Sequence, residues 1–310
     1  MAVTQTLNAL ETLFSRYRDL IPEWPEFLAA LNRRVRRSLR VNTLKISVPD
    51  LISGLESRGF SLKPTGLRPY IWELDPPGAP GALPEYHLGC VHAQTLTSLL
   101  PVIALDLAPG MLVLDLCAAP GSKTSQAAQE MGDKGLIIAN EPARPRLGVL
   151  RQNLTRLGVT AAVPTNYAGE FFPLRYDGHF DRVLVDAPCS GEGNFRRDAQ
   201  SRITGRTRQR PGLPELQLRL LTRAFDLMRP DGALIYSTCT YAPEENELVV
   251  QELLTSRPAR LLPLNLPGGF PGLTKWQEKE LHADLSLTRR FYPHRCGDAV
   301  GFFLAKVARA

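Results

Sequence analysis

From about Gly89 onward the chain alternates short apolar segments with stretches of helical spacing, and this alternation limits the available folds more than any other feature. The apolar segments lie at Leu112 to Leu116, Gly135 to Ala139, Ala162 to Pro164, Arg182 to Val185 and Ala233 to Tyr236. Helical patterns precede or separate them at Thr95 to Leu107, Lys123 to Met131, Arg144 to Leu157, Leu216 to Met228 and Glu244 to Thr255. Strands without polar alternation are buried on both faces, and strands separated by helices pair in parallel. An α/β fold with a doubly wound parallel sheet is therefore predicted for residues 89–310. Two further strands, near Arg290 to Tyr292 and Val300 to Val307, predict a hairpin closing one sheet edge.

Residues 1–88 follow another pattern. Helical spacing over Thr4 to Leu31 is interrupted at Ile21-Pro22. A strand near Ser38 to Leu44, a helix from Pro49 to Arg58 and extended pieces at Ser61 to Lys63 and Tyr70 to Leu74 then predict a small α/β module. Asp75 to Gly81 reads as a turn-rich linker.

A chain of 310 residues has room for about two domains. With 44% hydrophobic and 22% charged residues it falls in the globular class. No run of about 18 apolar residues suggests a membrane span, and the first twenty residues lack a signal-peptide pattern. The five cysteines form no CxxC pair and predict neither a zinc site nor a disulfide frame, but a reduced, cytoplasmic thiol set. The net charge of +6 is concentrated at Arg33, Arg34, Arg36, Arg37 and Arg40, and again at Arg196, Arg197, Arg202, Arg206, Arg208 and Arg210. Such clusters suit either a phosphate backbone or a solvated face. The long segment Asn194 to Pro211 reads as a candidate RNA clamp or a surface loop.

Ligands of open α/β sheets bind where loops leave the carboxyl ends of the strands. The loop after the first core strand reads Cys117-Ala118-Ala119-Pro120-Gly121-Ser122-Lys123. Small residues admit close approach to the backbone, Gly121 frees the turn, and the next helix offers unpaired N–H groups. Its single glycine disfavours a dinucleotide or triphosphate site, while Lys123 supplies one compact charge for a carboxylate. Glu141, ending the second strand, is placed either to hold ribose hydroxyls or to cap the following helix. A nucleoside with a small anionic group and no phosphate meets these conditions, and S-adenosylmethionine (SAM) is such a molecule.

Cys189, in Asp186-Ala187-Pro188-Cys189-Ser190-Gly191-Glu192-Gly193, and Cys239, in Ser237-Thr238-Cys239-Thr240, each follow a buried strand. Neighbouring strands would bring both thiols to one end of the sheet. A thiolate adding to carbon 6 of a pyrimidine turns carbon 5 into an enamine-type nucleophile, which requires an acid at ring nitrogen 3 and later a base for the carbon 5 proton. Asp186 is a candidate acid if burial raises its pKa, and a second thiol is a candidate base. Spacing alone leaves open which thiol attacks.

At these residues the sequence resembles the Nol/Nop/Sun (RsmB-type) family of SAM-dependent RNA cytosine-5 methyltransferases. The resemblance also covers Leu39 to Lys45, Glu244 to Glu247, Phe291 to His294 and Gly301 to Phe303. It implies a class I, Rossmann-like SAM methyltransferase core behind an RRM-like RNA-binding module. Cys117 to Lys123 would form the SAM loop, Glu141 the ribose contact, Asp186 a group beside cofactor and base, Cys239 the nucleophile and Cys189 the product-release cysteine. The implied partner is RNA, ribosomal slightly ahead of transfer RNA, with no metal, no membrane and a monomeric state. Where the family commonly has an adenine-contacting Asp, this chain has Ala168 in Thr165-Asn166-Tyr167-Ala168-Gly169, so weaker SAM binding is expected, with Asn166 a possible substitute. The chain ends soon after Lys306, which leaves target choice to the first module and the arginines. A DNA cytosine methyltransferase would use the Pro-Cys thiol and a large recognition domain. A non-catalytic RNA-binding or ribosome-assembly factor is the rival suggested by Ala168. Tyr167, Phe171 and Phe172 read as core aromatics more readily than as base-stacking groups, His294 as a structural hydrogen-bonding residue, and Cys90 and Cys296 as structural.

Overall fold

A computed structural model describes residues 10–36, 38–75, 80–197, 203–204 and 211–310. A short helical segment from residue 10 leads to α1 (Trp24–Leu31). Next come β1 (Ser38–Val41), α2 (Val48–Glu56), β2 (Ser61–Pro64), β3 (Ile71–Asp75) and β4 (Val91–Gln94). Helix α2 starts where Ser47 accepts a hydrogen bond from the Asp50 N–H and a proline fits the first turn. Its Leu51 and Leu55 pack on Leu39, Val41 and Leu74 of the small antiparallel sheet, ordered β2-β3-β1-β4. Strand β4 was not anticipated: it lies beyond residue 88 yet pairs with β1 over four residues. At four residues it is too short to show a period.

The large sheet comprises β5 (Leu112–Asp115), β6 (Leu136–Asn140), β7 (Ala162–Thr165), β8 (Phe180–Asp186), β9 (Met228–Thr238), β10 (Ala259–Leu262), β11 (Arg289–Phe291), β12 (Phe302–Arg309) and a two-residue strand, Phe270–Pro271, at the edge of β11. Its helices are α3 (Leu96–Ala104), α4 (Ser122–Glu130), α5 (Arg144–Leu157), α6 (Leu213–Leu227) and α7 (Glu247–Ser256). Parallel pairing runs β7-β6-β5-β8-β9, after which β12 joins β9 antiparallel. The predicted C-terminal hairpin, β11 with β12, thus adds to the sheet beside β9. Strands β11 and β10 both pair with the far side of β12, along its first and second halves. Leu114, Val183, Leu184, Val185, Leu234 and Ile235 are essentially inaccessible, as two covered sheet faces require.

The order places β5 between β6 and β8, so the chain reverses its direction of winding there. Loops leaving the carboxyl ends of β5 and β8 diverge to opposite faces and open a crevice. The small sheet docks behind one side of it. The Arg40 guanidinium, fully buried, donates to Gln129 and Ser125 of α4 at 2.8 and 2.7 Å, and Asn42 donates to the Leu157 carbonyl at 2.8 Å. The N-terminal helices dock behind the other side through Phe14, Tyr17 and Phe27, packed on Phe195, Tyr241 and Tyr292.

Candidate active site at the carboxyl ends of β5, β6, β8 and β9

On the cofactor side, Asp115 ends β5 and accepts the Thr124 hydroxyl at 2.7 Å through Oδ2. Its Oδ1 is buried without a partner, and burial pushes its pKa up to about 7. In the turn, Gly121 has φ 103° and precedes the first turn of α4; a Cβ there would meet Leu150 at 3.0 Å, so both conformation and space favour glycine. His92 from β4 supports this turn from behind. Arg156 can only donate, so its bond to His92 Nδ1 puts the ring proton on Nε2, 2.8 Å from the Ser122 hydroxyl. Burial, with Arg40 and Arg156 nearby, lowers the His92 pKa to about 3 and keeps the ring neutral.

Glu141 directly follows β6. Its Oε1 accepts the Ala143 N–H at 2.9 Å ahead of α5, while Oε2 is buried with no hydrogen bond, 3.2 Å from Arg146 Nη1. A buried Asp115 oxygen without a hydrogen bond, and a Glu141 oxygen that faces only the Arg146 guanidinium, flank a glycine turn with free helix N–H groups and fit a polar ligand such as SAM. Asn166 does not replace the adenine contact with its donors, because its amide nitrogen is committed to the Glu141 and Pro142 carbonyls at 2.7 and 2.8 Å. Ala168 is exposed beside it. Of the three aromatics expected in the core, only Phe172 is there. Phe171 is 75% exposed and Tyr167 38%.

On the thiol side, residues paired across β8 and β9 end level with each other, Asp186 opposite Ser237. The loops that follow bring Cys189 and Cys239 to an Sγ–Sγ distance of 3.3 Å, both partly accessible. The hydrogen bond with the Cys189 sulfur lowers the Cys239 pKa against burial and the Asp186 charge, assisted by the Asn194 amide at 3.1 Å and the charge of Lys123. The same bond, with burial, pushes Cys189 up. Electrostatics thus make Cys239 the more acidic of two coupled thiols, while the Cys239 N–H also points at the Cys189 sulfur, 3.3 Å away. Asn194 lies just beyond the run examined in the sequence; no local signal marks it as a sulfur contact.

Asp186 and Lys123 depart from expectation. Lys123 Nζ sits 2.7 Å from Asp186 Oδ2, and Ser237 donates to Oδ1 at 2.8 Å. The Asp186 side chain is 32% exposed, so the deep burial required of an isolated acid is missing. The lysine charge meets an internal carboxylate and packs over the Phe302 ring.

Two arginines from the clusters read as phosphate-binding or solvated are neither. Arg40 is buried between modules, and Arg196, 2% exposed, donates to the Phe195 and Ala299 carbonyls. Arg33 pairs with Asp298 at 2.7 Å, and Arg34 is exposed. Arg37, Arg202, Arg206, Arg208, Arg210 and the Arg197 side chain lie outside the described residues, as does most of the candidate clamp. The His294 side chain is buried against Tyr292 with Nε2 3.3 Å from Glu23, but among the described residues neither ring nitrogen makes the expected structural hydrogen bond. Cys117, Cys90 and Cys296 are free thiols, and burial raises the pKa of Cys117 and of Cys296, the latter to about 11. Among the described residues no cluster suits a metal ion, and no helix is long and apolar enough to cross a membrane.

Residues 102–308 match the model of a family described as 16S rRNA methyltransferase RsmB/F. The chain belongs to the RsmB/F methyltransferase family. Residues 11–78 match the ferredoxin-like domain of RsmF/B-like methyltransferases. A human relative, a 28S rRNA (cytosine(4447)-C(5))-methyltransferase, is 40% identical over 95% of this chain, which spans 37% of that protein's length. A Pyrococcus abyssi relative, a tRNA (cytosine(49)-C(5))-methyltransferase, is 38% identical over 96% of this chain and 95% of its own. A solved structure of a methyltransferase homologue from Pyrococcus horikoshii is 35% identical and superimposes with a TM-score of 0.82 over 97% of this chain and 95% of that one. The RsmB/F core thus accounts for the parallel sheet, and its ferredoxin-like module for the small one.

Proposed function

We propose that this protein methylates carbon 5 of a cytosine in structured RNA, using SAM and a covalent Cys239 adduct. The observation that carries this reading is the hydrogen-bonded thiol pair beside a glycine turn flanked by the buried carboxylates of Asp115 and Glu141. Glu141 and Asp115, with the N–H groups that follow Gly121, would hold the cofactor. When bound, SAM supplies its methyl group as an electrophilic sulfonium substituent for carbon 5 of the activated ring.

The Cys239 thiolate adds to carbon 6, forming the C–S bond, and the displaced electron pair of the C5=C6 bond makes carbon 5 nucleophilic as nitrogen 3 takes a proton. The Lys123–Asp186 pair, rather than a lone buried acid, is the proton-bearing group we place at nitrogen 3. Once Cys239 is a thioether its negative charge is gone and Cys189 no longer holds a proton for it. Cys189 can then lose its proton to water and take the carbon 5 proton. The C5–H electron pair re-forms the C5=C6 bond, the C–S pair leaves with Cys239 as thiolate, and nitrogen 3 returns its proton to the Lys123–Asp186 pair.

Ribosomal RNA is the first substrate reading, supported by the family description and the human relative; the similar length of the Pyrococcus abyssi relative favours transfer RNA as the second. Five free thiols suit the reducing cytoplasm, and the chain is read as a monomer. Cys239→Ala should abolish methyl transfer to both RNA classes with SAM binding intact. Cys189→Ala should trap an RNA adduct that survives a denaturing gel. Methyl transfer by the Cys239 variant sinks the mechanism, and bisulfite sequencing of RNA with and without the gene decides between substrates. Absence of transfer by the intact chain favours the rival reading of an assembly factor.

A further inference from the structure

One helical turn, Glu192–Asn194, touches the thiol site from behind and has no role in the mechanism above. Its middle residue is clamped on both sides. The Gly193 N–H donates to the Cys239 carbonyl at 2.8 Å, and the Gly301 N–H donates to the Gly193 carbonyl at 3.0 Å. A Cβ at Gly193 would lie 2.3 Å from the Gly301 oxygen and 2.9 Å from that of Cys239, so only glycine allows this approach. The first residue, Glu192, is buried, and its Oε2 accepts the Tyr17 hydroxyl at 2.7 Å and the Thr240 hydroxyl at 3.0 Å. Thr240 in turn accepts the Ser190 hydroxyl at 2.8 Å, tying together the residues that follow each cysteine. The last residue, Asn194, is exposed toward the crevice and directs its amide nitrogen at the Cys239 sulfur, 3.1 Å away. A second bond from the same nitrogen to the Gly191 carbonyl, 3.3 Å, fixes which end of the amide faces the sulfur.

We infer that Asn194 is a further residue of the reacting centre, its amide stabilising the Cys239 thiolate, and that Tyr17 and Glu192 are positioning residues that hold the turn carrying it. The inference rests on Cys239 as nucleophile. A neutral amide suits this task. It favours the charged sulfur by hydrogen bonding, whereas a cation there would depress the pKa further and, with it, the intrinsic nucleophilicity of the thiolate. The N-terminal helical segment becomes part of the catalytic apparatus, because Tyr17 reaches Glu192 across 175 positions of sequence.

The test is the pH dependence of iodoacetamide alkylation at Cys239, resolved by mass spectrometry on the full chain without RNA or cofactor. Asn194→Ala should raise the midpoint by about half to one unit, a roughly three- to tenfold slower reaction at pH 7. Asn194→Asp should raise it further by adding a like charge, and Tyr17→Phe should raise it less than Asn194→Ala. Each variant is compared at unchanged melting temperature, and since residue 194 is exposed its variants should fold. Wild-type midpoints in both Asn194 variants overturn the inference, and a wild-type midpoint in Tyr17→Phe overturns the positioning role. Because alkylation is independent of methyl transfer, these failures are distinguishable from retained methylation in Cys239→Ala, which overturns the nucleophile reading itself.

Discussion

The two sides of the crevice are built by different means. The cofactor side is nearly local: Asp115, the turn through Gly121 and Thr124 fall within ten residues, and Glu141 follows one strand later. The thiol side is assembled from distant pieces. Cys189 and Cys239 are 50 residues apart, and Tyr17 braces them from 175 residues away through Glu192. A local site is set by its own strand and turn, whereas an assembled one depends on whatever fastens its loops. Loosening the fastening should therefore impair the thiols while sparing the cofactor, and loosening the cofactor side should leave the thiols reactive.

The largest expected effect comes from Phe27→Ala. Phe27 is fully buried and edge-on to Phe14 at 5.8 Å and to Tyr241 at 5.4 Å. Its loss should cost about 3–5 kcal/mol in denaturant unfolding. Below the transition, methyl transfer should fall far more than SAM affinity; an equal fall in both would break the contrast. The opposite change is Glu141→Ala. Removing a charged acceptor is worth about 1.5–3 kcal/mol, so SAM affinity by calorimetry should drop roughly 10- to 100-fold while Cys239 alkylation stays at the wild-type rate.

His92 probes the brace behind the cofactor turn. Its folded-state pKa, about 3, lies below the unfolded value of 6.5, so the folded chain resists protonation. Stability is complete above pH 6.5 and declines as pH falls toward 3. Between pH 7 and 5 the loss should be about 2 kcal/mol. His92→Gln, which keeps an amide toward Ser122, should flatten that slope in unfolding experiments at several pH values. The smallest effect is expected of Ala168→Asp, which adds an exposed acceptor near the adenine position and should tighten SAM binding about threefold. No change would mean that backbone groups already serve the adenine, and an intact chain that fails to bind millimolar SAM would remove the cofactor reading altogether.

Most of the large sheet was legible because each strand between Leu112 and Tyr236 is a short apolar run between helical stretches. The placement of the turn through Gly121 and of Glu141 was legible for the same reason, since position after a strand implies position at its carboxyl end. The misread residues share another property. Arg40 and Arg196 look like phosphate ligands in a list of charges, yet each is buried against acceptors supplied by other segments. Asp186 looks like a free acid until Lys123 is brought against it from 63 residues away. Charge counts carry no information about partners that arrive through folding.

The sequence by itself determined the architecture, the cofactor turn and the two thiols as candidates, because hydrophobic period and strand-end position are local properties of the chain. Tertiary structure alone decided that the two thiols meet, which arginines are buried, and that the N-terminal helices brace the thiol loops. Those outcomes depend on distances between groups far apart in sequence, and hydrogen-bond and charge interactions that act over a few ångströms exist only once the chain has closed on itself.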